Sequence, residues 1–257
     1  MKDQIYILCH DSCKETAAHL GEWLTYLTNR KVKVTRNPSD LTGTTGPFIR
    51  YGCSSYVARK DTDLNSASFI DTVANKGRFS RTVSPRGIYT PEFHSVCYNP
   101  PQAKDYPVIL RTTLCGYGGK GIHVAETEKE FKKLSKKYPG VVWTKFVPTT
   151  HELRVHVLGG KVAKIFSKGE GFDDTEYPIR NNERYPYIRA DIRQYPKVQQ
   201  LVNKLQPIIR GKAYSLDLGR DDKNKKYFTF EANSGSGLNE STAEMYARYF
   251  IKDLKID

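Results

Sequence analysis

The chain has 257 residues, 27% of them charged, and a formal net charge of +13. That length buries one large core or two small ones. No apolar run approaches the ~20 residues that a membrane span needs, and five scattered cysteines without a Cys-x-x-Cys pair argue against a disulfide framework or a zinc ribbon. Cys9, His10 and Cys13 lie close in sequence and read as buried free thiols at a strand end rather than as a metal site. The positive charge favours polyanionic partners: nucleotide, nucleic acid, ribosome or an acidic peptide. The apolar part of the first eight residues is too short for a signal peptide, so a cytoplasmic location is expected.

Taken in chain order, Ile5–Leu8 reads as a strand. Ser12-x-x-Glu15 has the form of a capping box, followed by Ala17, Leu20, Trp23, Leu24 and Leu27 at helical spacing up to about Asn29. Val32–Val34 and Phe48–Tyr51 are further strands, and this opening is an α/β layer. No Gly-x-Gly-x-x-Gly follows the first strand, so a dinucleotide fingerprint is absent. Helices are expected over Ser66–Ala74 and around Phe79–Ser84. Strands follow at Tyr106–Arg111, Ile122–Val124 and Val141–Val147, with a second capping box at Thr127-x-x-Glu130 opening a helix to Tyr138. Glu152–Leu158 and Lys161–Ser167 form a hairpin across Gly159-Gly160, a pair suited to positive φ. Ser167–Asp191 is polar and irregular, longer than loops usually are. Pro196–Arg210 and Ala243–Leu254 are helices on either side of a second hairpin.

That second hairpin carries the chemistry. Tyr214–Leu218 and Phe228–Asn233 place Asp217 on one strand and Glu231 and Asn233 two residues apart on the next, on one face. Asp217 joins them if Leu216, Leu218, Phe228, Phe230 and Ala232 take the opposite, buried face. Two carboxylates and an amide oxygen suit Mg²⁺, which keeps room for substrate phosphates. Upstream, Gly116, Gly118, Gly119, Lys120 and Gly121 crowd one loop whose main-chain N–H groups can close around phosphate. It is not a Walker A loop. Arg154 lies on the polar phase of its strand with Glu152 and His156, placed to clamp phosphate, while Leu153, Val155 and Val157 face inward. Lys76 and Arg111 are isolated cations in the sequence.

In order, these motifs resemble the ATP-grasp superfamily, in particular carboxylate–amine ligases such as the ribosomal-protein glutamate ligase and its phage-encoded relatives. Lys76, eleven residues before Gly87-Ile88-x-x-Pro91, is similar to the family's first phosphate lysine. Pro107–Arg111 is similar to a "Pro-Val-Val-Lys" strand with arginine in place of lysine. Gly116–Gly121 resembles the phosphate-covering loop. Lys145, Phe146 and Val147 fall where the family holds adenine, Lys145 replacing a glutamate. Glu152-Leu153-Arg154 matches "Asp/Glu-x-Arg", and Lys168 sits near the family's arginine after the hairpin. Asp217, Glu231 and Asn233 match its metal ligands, and Ser234–Leu238 its trailing "Ser-x-x-Gly-Leu". Ile49–Ser54 resembles an Asn-Trp-Gly-type motif with Arg50-Tyr51 substituted.

The resemblance implies a mixed α+β and α/β ATP-grasp fold. Residues 1–75 would form a short α/β domain, 76–147 the small lid subdomain and 148–257 the large subdomain with the metal site. It implies ATP with Mg²⁺ (two ions, Mn²⁺ as a substitute). Lys76, Arg111, Gly116, Gly118, Gly119, Lys120, Lys145, Phe146 and Val147 would bind nucleotide, with Arg154 and Lys168 at the reacting groups. The implied reaction activates a carboxylate as an acylphosphate and passes it to an amine. His151, Glu152 and His156 are candidate bases that read better as structural. The segment Gly169–Asp191, with Arg180, Arg184 and Arg189 among Tyr177, Tyr185 and Tyr187, suits an acidic peptide or nucleic-acid acceptor. The resemblance also admits an oligomer. Two alternatives stay open: an ATP-grasp small-molecule kinase, and a basic binding module without catalysis.

Overall fold

The computed structural model describes residues 4–57, 64–115, 121–149, 151–168, 186–221 and 226–256. Within them the chain builds three sheets. The first is parallel, with β1 (Gln4–Cys9) between β2 (Lys31–Thr35) and β3 (Phe48–Tyr51). Ile5, Ile7 and Leu8 are all 0% exposed, because the middle strand of a parallel sheet is covered on both faces. That burial is why the segment reads as an unbroken apolar run rather than an alternation. Helix α1 (Lys14–Thr28) contributes Ala17, Leu20 and Leu24 to one of its cores, and the last helix of the chain (Glu240–Leu254) adds Tyr246, Ala247 and Phe250.

The expected capping box at Ser12–Glu15 does not form. A 3-10 turn over Asp11–Cys13 comes first, and the His10 ring accepts from the Ser12 N–H at 3.2 Å. The N-cap of α1 is Cys13, whose side chain makes no capping bond and is buried instead. Burial of the thiol has displaced local capping.

Helices α2 (Ala67–Ala74) and α3 (Lys76–Val83) follow, capped by Ser66 and Asn75 through bonds to the N–H groups of Phe69 and Arg78. The second sheet has the order β4-β7-β5-β6, formed by β4 (His94–Ser95), β5 (Val108–Arg111), β6 (Ile122–Ala125) and β7 (Val142–Lys145). Its core unites Val108, Leu110, Ala125 and Trp143 with Phe131 of α4 (Glu128–Lys137). Thr127 caps α4, and Glu130 reaches back to the N–H of Glu126 at 2.8 Å. β5 begins at Val108 rather than Tyr106, since Pro107 has no N–H to give the ladder.

The third sheet is antiparallel and five-stranded, in the order β10-β9-β8-β11-β12. Its strands are β8 (His151–Leu158), β9 (Lys161–Lys168), β10 (Tyr187–Ala190), β11 (Ala213–Asp221) and β12 (Lys226–Asn233). Gly159 and Gly160 join β8 to β9 at φ 58° and 75°, the left-handed pair a two-residue hairpin loop requires. Leu153, Val155, Val157, Leu216 and Leu218 line one face, each at most 2% exposed. They meet Val198, Val202, Leu205 and Ile209 of α5 (Pro196–Ile209), together with Phe69, Ile70, Phe79 and Val83 of α2 and α3. Each such side chain stabilises the fold by about 1.5–3 kcal/mol on burial. The helices on either side of residue 75 thus enter one core with α5. The last helix, α6 (Glu240–Leu254), lies beside α1.

Two expectations need correction here. β10 is an edge strand within the stretch read as irregular; its four residues pair with β9 from Tyr187↔Lys168 to Ala190↔Ile165. The alternation in β12 is also broken. Asp217 faces Glu231 and Leu218 faces Thr229, so Phe230 is left unpaired at a bulge. Thr229, 0% exposed, takes the inward place, while Phe228 and Phe230 are only half-buried.

Candidate active site

The register of three neighbouring strands brings the charged groups together. Arg154 on β8 lies opposite Asp217 on β11, and Asp217 lies opposite Glu231 on β12. All three therefore project from the face opposite the α5 core. Arg154 donates to both Asp217 oxygens, Nε to Oδ1 at 2.8 Å and Nη2 to Oδ2 at 2.7 Å. Two carboxylates directly opposed across a ladder repel, so this row needs cations from elsewhere.

The cations come from several elements. Lys76, the first residue of α3, places Nζ 2.6 Å from Glu231, and its backbone N–H bonds the Leu114 carbonyl at 3.1 Å. That second bond ties the helix start to the stem of the glycine loop. Arg111 ends β5 on the second sheet and interacts with Glu231; its Nε is buried without a hydrogen-bond partner. Lys168 at the end of β9 pairs with Glu152 at 3.0 Å. Asn233 donates to Glu231 at 3.1 Å, which leaves its amide oxygen free to face a cation.

The electrostatics follow from burial. Desolvation alone would raise the Asp217 carboxyl, but the Arg154 guanidinium outweighs it and holds the pKa well below the usual carboxylate range. Desolvation would lower Arg154, and Asp217 more than restores it. Arg111 is lowered by burial, against the pull of Glu231. Counted over named groups, three carboxylates (Asp217, Glu231, Glu152) face four cations (Arg154, Lys76, Arg111, Lys168).

His156 shares the polar phase with Arg154 yet is 2% exposed, because Tyr246 of α6 covers that end of the sheet. The Tyr246 hydroxyl bonds His156 Nδ1 at 3.0 Å and donates to the Tyr214 carbonyl at 3.2 Å. Burial pushes the imidazole pKa down to about 3. His156 is a neutral packing group, as the sequence reading favoured.

Lys145 turns to Asp105 at 2.7 Å, outside the ion-pair cluster. Phe146 bonds the Pro107 carbonyl at 3.0 Å through its N–H, and Val147 follows it half-buried. Gly116, Gly118, Gly119 and Lys120 lie outside the described residues; the loop's base is closed by Thr112 N–H to the Gly121 carbonyl at 2.9 Å. Two residues had no part in the sequence reading of this cluster. Phe230 sits over Gly219, where a Cβ would come within 2.6 Å of its ring. Tyr187 lays its ring against Arg154, 4.7 Å from the guanidinium carbon. The Gly219 position was the available signal for the first; the second was read only as a tyrosine among cations in the acceptor segment.

A second cluster joins the first sheet to the end of β12. Tyr51 donates to the Ser236 carbonyl, and Cys13 Sγ bonds the Gly235 carbonyl at 3.4 Å. A Cβ on Gly235 would meet Cys13 Sγ at 2.5 Å and Gly52 Cα at 3.1 Å. The glycines of the trailing motif allow this close approach. The segments that follow β1 and β3 therefore pack against the end of β12. Arg50 is 5% exposed and bonds the Ser55 carbonyl at 2.6 Å.

No family model and no curated protein sequence matches this chain. Solved structures do. D-alanine–D-alanine ligase from Bacillus anthracis, complexed with ATP, aligns over 98% of this chain and 95% of its own, with a TM-score of 0.68 at 12% identity. A RimK domain ATP-grasp protein from Sphaerobacter thermophilus aligns over 96% and 98%, TM-score 0.65 at 14% identity. The macrocyclase MdnC from Microcystis aeruginosa, bound with its precursor peptide MdnA, aligns over 96% and 99%, TM-score 0.65 at 11% identity. The chain has the ATP-grasp fold, with 96–98% of it aligned in these structures. No described helix is long and apolar enough to cross a membrane.

Proposed function

We propose that the protein is an ATP-dependent carboxylate–amine ligase, forming an amide through an acylphosphate. The observation that carries the reading is the row Arg154–Asp217–Glu231 across β8, β11 and β12, met by Lys76 and Arg111 from outside that sheet. Phosphoryl transfer asks a protein for positioning and charge neutralisation, not for a nucleophile of its own. The cluster supplies both.

Asp217, Glu231 and Asn233 offer the hard oxygen donors that suit Mg²⁺, which when bound would neutralise charge across the β- and γ-phosphates. Lys76, Arg111 and Arg154 would hold phosphate oxygens, and Lys168 the reacting carboxylate. The paired state of the cluster sets the order of events. Asp217 and Glu231 are already matched by Arg154 and Lys76. A triphosphate would compete for those cations and a divalent ion for the carboxylates, so these residues would favour joint binding of nucleotide and metal. A peptide acceptor fits the precursor peptide seen on the macrocyclase relative and the chain's charge of +13.

The test is ADP release with acid pools alone, amines alone and both together. The ligase reading expects sustained release only with both. Steady release with one substrate and a stable phosphorylated product would instead favour the kinase reading, which the basic charge also suits.

A further inference from the structure

Besides Arg111 Nε, one hydroxyl at the charged row is a hydrogen-bond donor that the pairings above leave unused. Tyr187 opens β10, opposite Lys168 in the β9–β10 ladder and on the same face. Its ring lies 4.7 Å from the Arg154 guanidinium carbon and 5.8 Å from Lys168 Nζ. Phe166 supports it edge-on at 6.4 Å. Yet its hydroxyl is enclosed and has no hydrogen-bond partner. A buried hydroxyl left unpaired costs about 1–3 kcal/mol, and such groups call for an explanation.

The surroundings say which partner is missing. The nearest carboxylates are engaged, Asp217 through both oxygens with Arg154 and Glu152 with Lys168. The ring itself lies against Arg154 and Lys168, the two cations that would hold the phosphoryl group and the reacting carboxylate in the proposed reaction. Burial, then Asp217, raises the phenol above its usual range, so it stays protonated as a donor. Resting on the proposed function, we propose that Tyr187 is a further catalytic residue whose hydroxyl donates to an oxygen of the phosphoryl group in transit between Arg154 and Lys168. The interaction forms when the phosphoryl leaves the nucleotide, so it favours transfer over nucleotide binding.

The experiment uses magnesium, ADP and aluminium fluoride, which mimic the transferring phosphoryl, on wild type and Tyr187→Phe. Phenylalanine keeps the ring against Arg154 and removes only the unpaired hydroxyl, so melting temperature should stay level or rise. Affinity for ADP with magnesium should be unchanged, and the fluoride complex about 10- to 100-fold weaker, as for loss of a hydrogen bond to a charged group. Equal trapping by both proteins overturns the assignment. So does an equal loss of ADP affinity, or a fall in melting temperature, either of which makes Tyr187 a packing residue. Failure of the wild type itself to trap fluoride overturns phosphoryl transfer, and with it the proposed function.

Discussion

Arg154 and Asp217 face each other across β8 and β11 and share two hydrogen bonds of 2.8 and 2.7 Å. Their side chains are 15% and 17% exposed, so each charge depends on the other. Arg154→Met strands a buried carboxylate and should cost about 3–5 kcal/mol in denaturant titrations. A loss below 1 kcal/mol would mean that the pair is wetter than its geometry indicates.

Acid should destabilise the protein in two windows. The His156 pKa lies near 3 when folded, below its ordinary 6.5, so the unfolded chain binds the extra proton. Its contribution is complete above pH 6.5 and is lost as pH falls, at up to about 1.4 kcal/mol per pH unit. The Asp217 pKa is also depressed when folded, so its contribution is present above its unfolded value and is lost below about pH 4. His156→Asn should flatten the upper window and leave the lower one. An unchanged stability profile between pH 6 and 4, measured by urea titration, would refute the buried neutral imidazole.

Glu231→Gln should abolish turnover while the protein stays folded, because a carboxylate proposed to hold the metal is lost at a half-buried position. Lys76→Ala should raise the ATP requirement about 10-fold, the loss of one charged contact, and should also lower the melting temperature, since its pair with Glu231 is as buried as that of Arg154 with Asp217. Steady-state kinetics and thermal melts separate the two effects.

Nucleotide and metal should bind cooperatively. With Asp217 and Glu231 held by Arg154 and Lys76, Mn²⁺ alone competes against two ion pairs. A non-hydrolysable ATP analogue releases the carboxylates and should tighten Mn²⁺ binding at least about 10-fold, within the usual range of coupling free energies. Electron paramagnetic resonance of free Mn²⁺ measures this, and equal affinity with and without nucleotide would contradict the exchange.

Gly235→Ala should cost about 1–3 kcal/mol by forcing overlap, since its Cβ would sit 2.5 Å from Cys13 Sγ and 3.1 Å from Gly52 Cα. Cys13→Ala in the same chain should recover part of that loss. Additive losses in the double variant would show that the backbone contact, not the thiol, sets the limit.

Much of this was legible in the sequence because it rests on local periodicity. The buried β1, the Gly159-Gly160 hairpin and the apolar stripe of α5 follow from strand and helix spacing. Alternation put Glu231 and Asn233 on one face, but the facing of Asp217 and Glu231 depended on the strand register, which the ladder supplies. The bulge at Phe230 was hidden, since it depends on how Gly219 and Thr149 leave room for an aromatic ring. The cap of α1 was misread because His10 and the buried Cys13 compete with Ser12. Lys76 and Arg111 looked like ordinary surface charges; only the packing of α3 and β5 beside β12 brings them to Glu231. Tyr187 was read only as one of several tyrosines among cations in an acceptor segment; its place beside Arg154 was hidden, because edge strand β10 is defined by its partner, not by its own four residues.

The most direct test of the account follows oxygen. Acids labelled with heavy oxygen in the carboxylate, offered as amino-acid and acidic-peptide pools with ATP and amines, should pass one labelled oxygen to inorganic phosphate, read by phosphorus NMR. Label appearing in phosphate in step with amide formation is the predicted result. Amide or ADP formed with unlabelled phosphate would contradict an acylphosphate route.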